Sequence, residues 1–213
     1  DTSDVVTKEM YTFSDRVGEE EMALRPEFTA GICRAFASNN LYDHVPFKVF
    51  ATGPLFRYER PQRGRQRQFH QIDIEILGAP GPAADIEALA VGQHILNELG
   101  LAEDVTLKIN TLGDPESRSL YREKLIEFLE PFEHELSENS RNRLHRNPLR
   151  VLDSKSERDQ EIIAEAPLLK DYLNDTSRRF FDEVCEGLER LDIAFTLDLK
   201  LVRGLDYYPH TAF

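Results

Sequence analysis

The sequence lacks the features that mark several classes of protein. It has no run of about eighteen apolar residues, so no segment is predicted to cross a membrane. Residues 1–4 carry neither a basic stretch nor an apolar one, so no secretory signal is predicted. The two cysteines, Cys33 and Cys185, do not have the paired spacing of a zinc site and are too few for a disulfide scaffold. We expect both to be free, buried thiols of a cytoplasmic protein.

Positive charge is also scarce. The 26 Lys and Arg residues stand against 39 Asp and Glu residues, and a net charge of −13 argues by itself against a protein that binds nucleic acid. The positive charge is concentrated, however. The stretch Arg57–Arg67 holds five arginines and one acid, and Arg141–Arg150 holds four arginines and one histidine. Each stretch either binds a polyanion or forms a solvated loop, and composition leaves both open.

The spacing of apolar residues predicts the order of helices and strands. A helix is predicted after Pro26, followed by short strands at Phe47–Phe50 and Leu55–Glu59 with a Gly-Pro pair between them. The strictly alternating segment Phe69–Leu77 is predicted to be a strand. A helix then begins at Pro82.

The second half of the sequence is richer in helical spacing. A strand is predicted around Leu107, helices follow from Asp114, and a strand returns over Phe195–Leu201. This order predicts an α+β fold, with a mostly antiparallel sheet flanked by helices and interrupted by a helical insertion. The predicted divisions are 1–113, 114–196 and 197–213.

The strand Phe69–Leu77 separates its side chains by face, because residues two apart in a strand point the same way. The even positions are mainly apolar and are predicted to face a core: His70, Ile72, Ile74 and Ile76. The odd positions hold an aromatic ring, an amide and two carboxylates: Phe69, Gln71, Asp73, Glu75 and Leu77. If residues 61–68 close a hairpin, Arg57 and Glu59 share the odd face.

This odd face suits a nucleotide. A ring stacks on a base, and the planar fork of an arginine matches a phosphate. The sequence has neither GxxxxGK[ST] nor GxGxxG, so a sheet rather than a glycine-rich turn would hold the nucleotide. A solvated sheet surface is the alternative at this point.

Three segments resemble motifs of the class II aminoacyl-tRNA synthetases, in their histidine-specific form. Residues 53–71, GPLFRYERPQRGRQRQFHQ, resemble motif 2 of that family. Residues 201–208, LVRGLDYY, resemble the histidine-specific signature, and residues 24–30, LRPEFTA, resemble the segment that receives the amino group of the substrate. The three segments occur in the family's order at fitting intervals, and the resemblance spans essentially the whole chain.

The resemblance implies the class II synthetase fold and a two-step reaction. ATP activates histidine to histidyl-adenylate, and the histidyl group then passes to tRNA(His). Catalytic roles at the α-phosphate are implied for Arg57 and Arg203. The implied histidine-binding residues are Glu27, Phe28, Thr29, Arg57, Gln71, Glu75, Arg203, Tyr207 and Tyr208. The implied ATP-binding residues are Arg57, Glu59, Arg65 and Phe69.

The resemblance also implies partners. Mg²⁺ would accompany ATP, and no metal site made by the protein alone is expected. On the hairpin loop the implied tRNA contacts are Gln62, Arg63 and Arg67. The stretch Arg141–Arg150 falls in the part that resembles the family's insertion domain, which leans on the acceptor stem. A solvated loop remains the alternative for that stretch.

The chain departs from the family at Phe28, where members usually carry glycine. The ring would either reshape the amino-group site or fill a nearby gap. Motif 1, a main element of the family's homodimer, is expected before Asp1, and motif 3 and an anticodon-binding domain are expected after Phe213. Two other functions stay open: a synthetase-like regulatory subunit that binds histidine, and a folded fragment without activity. Arg203, Tyr207 and the arginine-rich loop count against the regulatory subunit.

Overall fold

The computed structural model describes residues 9–203 and 208–213. The chain forms two compact units that divide between Pro80 and Gly81. Both helices and strands are present, and the predicted α+β class is confirmed.

The first unit contains two antiparallel hairpins and one α-helix. Its elements are β1 (Thr12–Ser14), β2 (Glu21–Ala23), α1 (Thr29–Ser38), β3 (Phe47–Phe56) and β4 (Gln68–Leu77), with a 3-10 helix at Leu41–His44. β1 pairs with β2, and β3 pairs with β4 over all ten residues. In α1 the apolar residues Ile32 and Phe36 are four apart and half-buried, which agrees with the predicted helix.

β3 is one continuous strand, so the prediction of two strands broken at a Gly-Pro pair is wrong. Proline removes a donor, and a strand tolerates this where the nitrogen points away from the neighbouring strand. Phe56 donates its N–H to the carbonyl of Arg25 rather than to β4. Pro54, two residues earlier, points its nitrogen to the same side, and its carbonyl accepts from Nε of Arg25 at 2.8 Å. The ladder to β4 therefore loses no donor at Pro54.

β4 forms the predicted alternating strand and the predicted hairpin with β3. The expectation that its even positions face a core is wrong for the first half of the strand, because His70 is exposed and Ile72 is 57% exposed. The odd face is the covered one, and Glu75 is only 6% exposed. The physical reason is that α1 lies against the odd face, where Thr29 contacts Glu75.

The second unit combines helices with a three-stranded sheet. Its elements are α2 (Pro82–Glu98), β5 (Lys108–Thr111), α3 (Pro115–Leu129), α4 (Glu138–Arg143), α5 (Glu157–Ala164), α6 (Asp175–Arg190), β6 (Thr196–Leu197) and β7 (Thr211–Ala212). Short 3-10 helices lie at Ala102–Asp104, Glu130–Glu135, Pro148–Val151 and Leu169–Tyr172. The strand order is β6-β5-β7, with β6 parallel and β7 antiparallel to β5.

The strand predicted over Phe195–Leu201 forms only at its second and third residues. β5 is four residues long, and its first two residues pair with β6 while its last two pair with β7. The chain turns after β6, where the N–H of Leu201 donates to the carbonyl of Asp198 at 2.8 Å. Leu199 and Leu201 keep the alternating pattern, but they lie beyond the two residues of β6 that pair with β5.

Helices α3 to α5 surround an apolar cluster of their own. On α3, Tyr121, Leu125 and Leu129 recur every four residues, and none is more than 2% exposed. The buried cluster consists of Tyr121, Leu125, Leu129, Leu136, Leu144, Val151, Ile162, Ile163, Ala166 and Leu169. Each buried leucine contributes about 1.5–3 kcal/mol, so this segment has a substantial core.

The predicted α6 helix packs against α2 rather than joining that cluster. Leu89 of α2, Ile109 of β5 and Val184 and Leu188 of α6 form a separate buried group. The helices approach closely at Gly187, where an added Cβ would lie 2.2 Å from Cδ1 of Ile86. The absence of a side chain at Gly187 therefore allows α2 and α6 to pack this closely.

The cysteines differ from expectation at one position. Cys33 is exposed, so the prediction of a buried thiol is wrong there, and the half-buried side of α1 is occupied by Ile32 and Phe36 instead. Cys185 is half-buried, and its burial together with Asp182 and Glu189 raises the pKa of its thiol to about 11. Within residues 9–203 and 208–213, no helix is long and apolar enough to cross a membrane.

Candidate active site

Arg57 is held at the end of β3 by three contacts. Its backbone N–H donates to the carbonyl of Arg67 at 2.9 Å, which continues the hairpin beyond the paired strands. Its side-chain Nε donates to the carbonyl of Pro26 at 2.9 Å. Its guanidinium carbon lies 5.1 Å from the ring centroid of Phe69, so the side chain is on the odd face, as predicted. These contacts fix the plane of the guanidinium in advance of any ligand.

The hairpin loop carries a second group of contacts. Gln62 and Arg65 exchange backbone hydrogen bonds around Gly64, whose positive φ of 78° closes the turn. Nη1 of Arg65 lies 3.3 Å from Oε2 of Glu59. Nε of Arg67 donates to the carbonyl of Glu59 at 3.2 Å. Glu59 therefore fixes the base of the loop.

The loop residues Gln62 and Arg63 are exposed. Arg67 is also exposed, and its guanidinium carbon lies 4.5 Å from the ring centroid of Tyr58. The arginine-rich loop is therefore an exposed cationic surface, on which the side chain of Arg67 packs against the ring of Tyr58.

A polar group lies at the Glu75 end of the odd face. It consists of Glu75 itself with Glu27 and Thr29 from the start of α1 and the loop before it. Oε1 of Glu27 accepts from the N–H of Ala30 at 3.0 Å, next to the start of α1. The hydroxyl of Thr29 donates to Oε1 of Glu75 at 2.5 Å, and both side chains are buried. Carboxylates beside a hydroxyl suit a positively charged group such as an ammonium ion.

Asp73 belongs to this group although it is missing from the predicted site residues. Its Oδ2 is buried and has no hydrogen-bond partner in the described part of the chain. Burial, followed by the nearby charges of Glu75 and Glu27, raises the pKa of Asp73 to about 6. Its position between Gln71 and Glu75 on the odd face was visible in the sequence and is the signal that would have identified it.

Asp73→Asn is expected to stabilise the first unit at pH 7 by about 1–2 kcal/mol, because the folded state holds this carboxylate at a cost. The pKa is raised on folding, so the stability of the unaltered protein falls as pH rises from about 4 to 6. The stability of the Asp73→Asn variant should not show this decrease between pH 4 and 6. Urea unfolding at pH 4.5 and pH 7 measures both effects. An unchanged slope would contradict the raised pKa.

Phe28 fills the space above Gly53. An added Cβ at Gly53 would lie 3.1 Å from Nη2 of Arg25 and 3.8 Å from Cζ of Phe28. The guanidinium carbon of Arg25 lies 5.0 Å from the centroid of the Phe28 ring. Gly53 pairs with Gln71 in the hairpin, so the ring sits beside a predicted histidine-binding residue. Phe28 is half-buried, and both expectations for its effect on the amino-group site remain predictions.

The remaining predicted residues belong to the second unit. Arg203 is exposed, and it follows Val202, which is 5% exposed in a cluster with Leu112. Tyr208 is 38% exposed. Tyr207 lies outside the described residues. The predicted shared role of Arg57 and Arg203 remains a prediction.

The basic stretch Arg141–Arg150 lies on α4 and the turns after it. Arg141, His145 and Arg146 are exposed, whereas Arg143 is half-buried. The exposed positive charge of this stretch is therefore that of Arg141 and Arg146.

Comparisons with known proteins agree with the motifs. The model of the class II tRNA synthetase core domain (G, H, P, S and T) matches residues 11–211. The histidine–tRNA ligase of Rhodospirillum rubrum is 56% identical over 213 residues, which is 100% of this chain and 51% of that protein. The histidine–tRNA ligase of Levilactobacillus brevis is 54% identical over 216 residues, covering 100% of this chain and 50% of that protein. The chain thus spans about half the length of the curated relatives it matches.

Two solved structures match the fold of this chain. The structure of apo histidyl-tRNA synthetase from S. aureus matches with a TM-score of 0.74 and 38% identity, covering 95% of this chain and 47% of that one. An ATP phosphoribosyltransferase regulatory subunit/histidyl-tRNA synthetase from Bacillus halodurans matches with a TM-score of 0.65 and 21% identity, covering 96% of this chain and 56% of that one, which supports the fold alone. With a family model that matches nearly its whole length, the chain belongs to the class II tRNA synthetase core domain family.

Proposed function

We propose that this chain is the part of a histidine–tRNA ligase that activates L-histidine with ATP and passes it to tRNA(His). The observation that carries the proposal is the odd face of the β3–β4 hairpin. There the guanidinium of Arg57 is braced by Pro26 and Phe69, and the carboxylates of Glu75 and Asp73 lie on the same face. The names of the relatives support histidine as the amino acid.

The first step joins two anions. A carboxylate oxygen of histidine attacks the α-phosphorus of ATP, the bond from that phosphorus to the β-phosphate bridging oxygen breaks, and pyrophosphate leaves with the electron pair. No proton transfer is needed. Arg57 and Arg203 would neutralise the charge that develops at phosphorus, and preorganised charge of this kind is usually the largest catalytic contribution.

The amino group and the imidazole of histidine need different partners. An ammonium ion fits Glu27, Thr29, Gln71 and Glu75, and the buried Oδ2 of Asp73 adds a negative charge beside them. An imidazole N–H needs an acceptor, which Glu75 or the hydroxyl of Tyr207 or Tyr208 would supply. Phe28 would limit the room above Gly53.

ATP would bind through Arg57, Glu59, Arg65 and Phe69. One face of the Phe69 ring carries Arg57, so the adenine would stack on the other face or shift that arginine. Mg²⁺ usually binds through one or two carboxylates and the phosphates of its substrate. Glu59 offers one such carboxylate for an ion that would arrive with ATP.

For tRNA we propose contacts from Gln62, Arg63 and Arg67 on the hairpin loop and from the stretch Arg141–Arg150. Phosphate contacts of this kind depend on exposed cations, which both segments present. We further propose a homodimer in the cytoplasm, with a helical insertion at 114–196 between two parts of the catalytic core.

Charge reversal in the basic stretch tests its part in tRNA binding. Arg146→Glu is expected to raise the KM for tRNA about tenfold and to leave adenylate formation unchanged, because it removes one phosphate contact and adds a repulsion. Arg146 is the sharper choice over Arg143, which is half-buried. Lys155→Glu, an exposed reversal outside the stretch, is the control. Aminoacylation at two salt concentrations measures the effect, and equal KM values for both variants would remove this stretch from the interface.

Histidine-dependent ATP–pyrophosphate exchange tests the proposed function as a whole. It should be measured with Mg²⁺ on the 213-residue chain and on a full-length protein carrying this sequence, with each of the other amino acids as a control. Exchange that depends on histidine in the full-length protein supports the ligase. Histidine binding without exchange would indicate a regulatory subunit. Exchange by the full-length protein alone would indicate that the 213 residues are an incomplete site.

A further inference from the structure

Two arginines of α3 bind main-chain carbonyls in three other segments of the second unit. Nη2 of Arg118 donates to the carbonyl of Tyr208 at 2.8 Å, and its Nε lies 3.4 Å from the carbonyl of Leu112. Nη2 of Arg122 donates to the carbonyls of His145 and Arg146, at 2.8 and 3.0 Å. Residues four apart on a helix lie on one side, so both contacts come from adjacent turns of α3.

The three shorter contacts, at 2.8 to 3.0 Å, are charge-assisted hydrogen bonds. A guanidinium donates several N–H groups from a rigid plane, and bonds from a charged donor are roughly twice as strong as neutral ones. Each arginine bridges two carbonyls rather than one. Replacement of either side chain therefore removes a specific restraint on the main chain.

α3 is itself firmly anchored. Its cap residue Asp114 accepts from the N–H of Ser117 at 2.8 Å and from Nδ2 of Asn174 at 2.7 Å. The buried residues Tyr121 and Leu125 attach the next turns of the helix to the apolar cluster. The guanidinium groups thus project from a fixed base.

The segments on either side of residues 204–207 are held to the same unit. Nδ2 of Asn110 donates to the carbonyl of Leu201 at 2.9 Å. The N–H of His210 donates to the carbonyl of Gly113 at 3.0 Å, and the ring of His210 stacks on Phe180 with centroids 4.1 Å apart. Arg118 adds a contact to Tyr208 itself, because its Nη2 donates to the main-chain carbonyl of that residue.

We infer that Arg118 is a positioning residue for Tyr208, and that Arg122, one turn further along α3, positions the main chain of the basic stretch Arg141–Arg150. The inference rests on the proposed function, in which Tyr208 contacts histidine and the basic stretch contacts tRNA.

Arg118→Ala in the full-length protein tests the first half. The KM for histidine in pyrophosphate exchange is expected to rise about tenfold, while the KM for ATP stays within about twofold, since one charge-assisted hydrogen bond is lost at the histidine side. Arg118→Lys keeps the charge but not the fork, and should give an intermediate value. Lys124→Ala, which removes an exposed cation from the same helix, should leave both constants unchanged. Equal histidine KM values for Arg118→Ala and Lys124→Ala would overturn the inference.

Arg122→Ala tests the second half. It should raise the KM for tRNA about fivefold through the basic stretch and leave the KM for histidine unchanged, because its carbonyl partners are His145 and Arg146. An unchanged KM for tRNA would remove the link to that stretch.

Hydrogen exchange separates failure of this inference from failure of the proposed function. The N–H of Leu112 donates to the carbonyl of His210, and the N–H of His210 donates to the carbonyl of Gly113. In Arg118→Ala both amides should exchange about tenfold faster than in Lys124→Ala. This readout needs no catalytic activity. If the unaltered protein lacks histidine-dependent exchange, the ligase proposal fails while the amide result still decides the role of Arg118. Equal amide rates in both variants would overturn that role.

Discussion

Replacing Arg203 by alanine is expected to slow the formation of histidyl-adenylate by about 100- to 1000-fold in the full-length protein. Affinity for histidine should change far less. The reason is that the negative charge to be neutralised is larger in the transition state than in bound histidine, and Arg203 is assigned to the α-phosphate. Loss of an interaction that is made mainly in the transition state lowers the rate without a matching loss of substrate binding.

Arg57→Ala is expected to lower the same rate to a similar degree. The substitution also removes the contacts of the Arg57 side chain to Pro26 and Phe69. Because Phe69 is a proposed ATP-binding residue, the KM for ATP should rise as well. This difference distinguishes the two arginines. In the proposed mechanism Arg57 contacts both the nucleotide and the reacting phosphate, whereas Arg203 is expected to act on the reacting phosphate alone.

Rapid-quench measurement of adenylate in a single turnover gives the rate, and equilibrium binding gives the affinity for histidine. Lys200→Ala is a matched control, because Lys200 is an exposed cation three residues before Arg203. The control should retain the rate of the unaltered protein. A single-turnover rate for Arg203→Ala equal to that of the control would refute the assigned role.

Asp159→Ala is expected to destabilise the second unit by roughly 3–5 kcal/mol. Asp159 is 0% exposed, and its carboxylate accepts four hydrogen bonds. Its Oδ1 accepts from the N–H of Ser137 at 2.8 Å, and its Oδ2 accepts from the hydroxyls of Ser137, Ser140 and Ser154 at 2.6, 2.5 and 2.5 Å. Without the carboxylate these buried donors are left without their acceptor, which is the costly part of the change.

Thermal unfolding measures this effect, and a melting temperature lower by roughly 10 °C or more is expected. Glu161→Ala is the control, since it removes an exposed carboxylate from the same helix, α5. It should change the melting temperature very little. Equal melting temperatures for Asp159→Ala and Glu161→Ala would mean that the buried carboxylate stabilises the protein no more than an exposed one does.

The same carboxylate predicts a pH dependence. Burial alone would raise the pKa of Asp159, but the hydrogen bonds from Ser137, Ser140 and Ser154 outweigh it and lower the pKa. A lowered pKa stabilises the folded state above the pKa of the unfolded chain, near 4, and this stability is lost as pH falls through the folded pKa. Asp159→Asn should therefore show a weaker loss of stability below about pH 4.

The sequence by itself determined the local elements that carry the site. Strict alternation over Phe69–Leu77 gave the strand, and the polar odd positions gave the face on which Arg57 lies. Pro82 and Gly100 bounded a helix correctly, because proline suits a first turn and glycine adopts the positive φ that follows a last one. Patterns of this kind are visible in sequence because they depend on neighbours a few residues away.

Tertiary structure decided what depends on distant partners. Pro54 stays inside β3 because its nitrogen faces Arg25 and not β4. The buried odd face follows from the placement of α1, which the apolar pattern of the even face did not predict. The acceptor of Ser137, Ser140 and Ser154 is a single carboxylate up to 22 residues away. Burial is the main cause of the raised pKa of Asp73, and the charges of Glu75 and of Glu27, which lies in the loop before α1, add to it. In each case the deciding energy is a contact between residues far apart in the chain, and local spacing does not encode it.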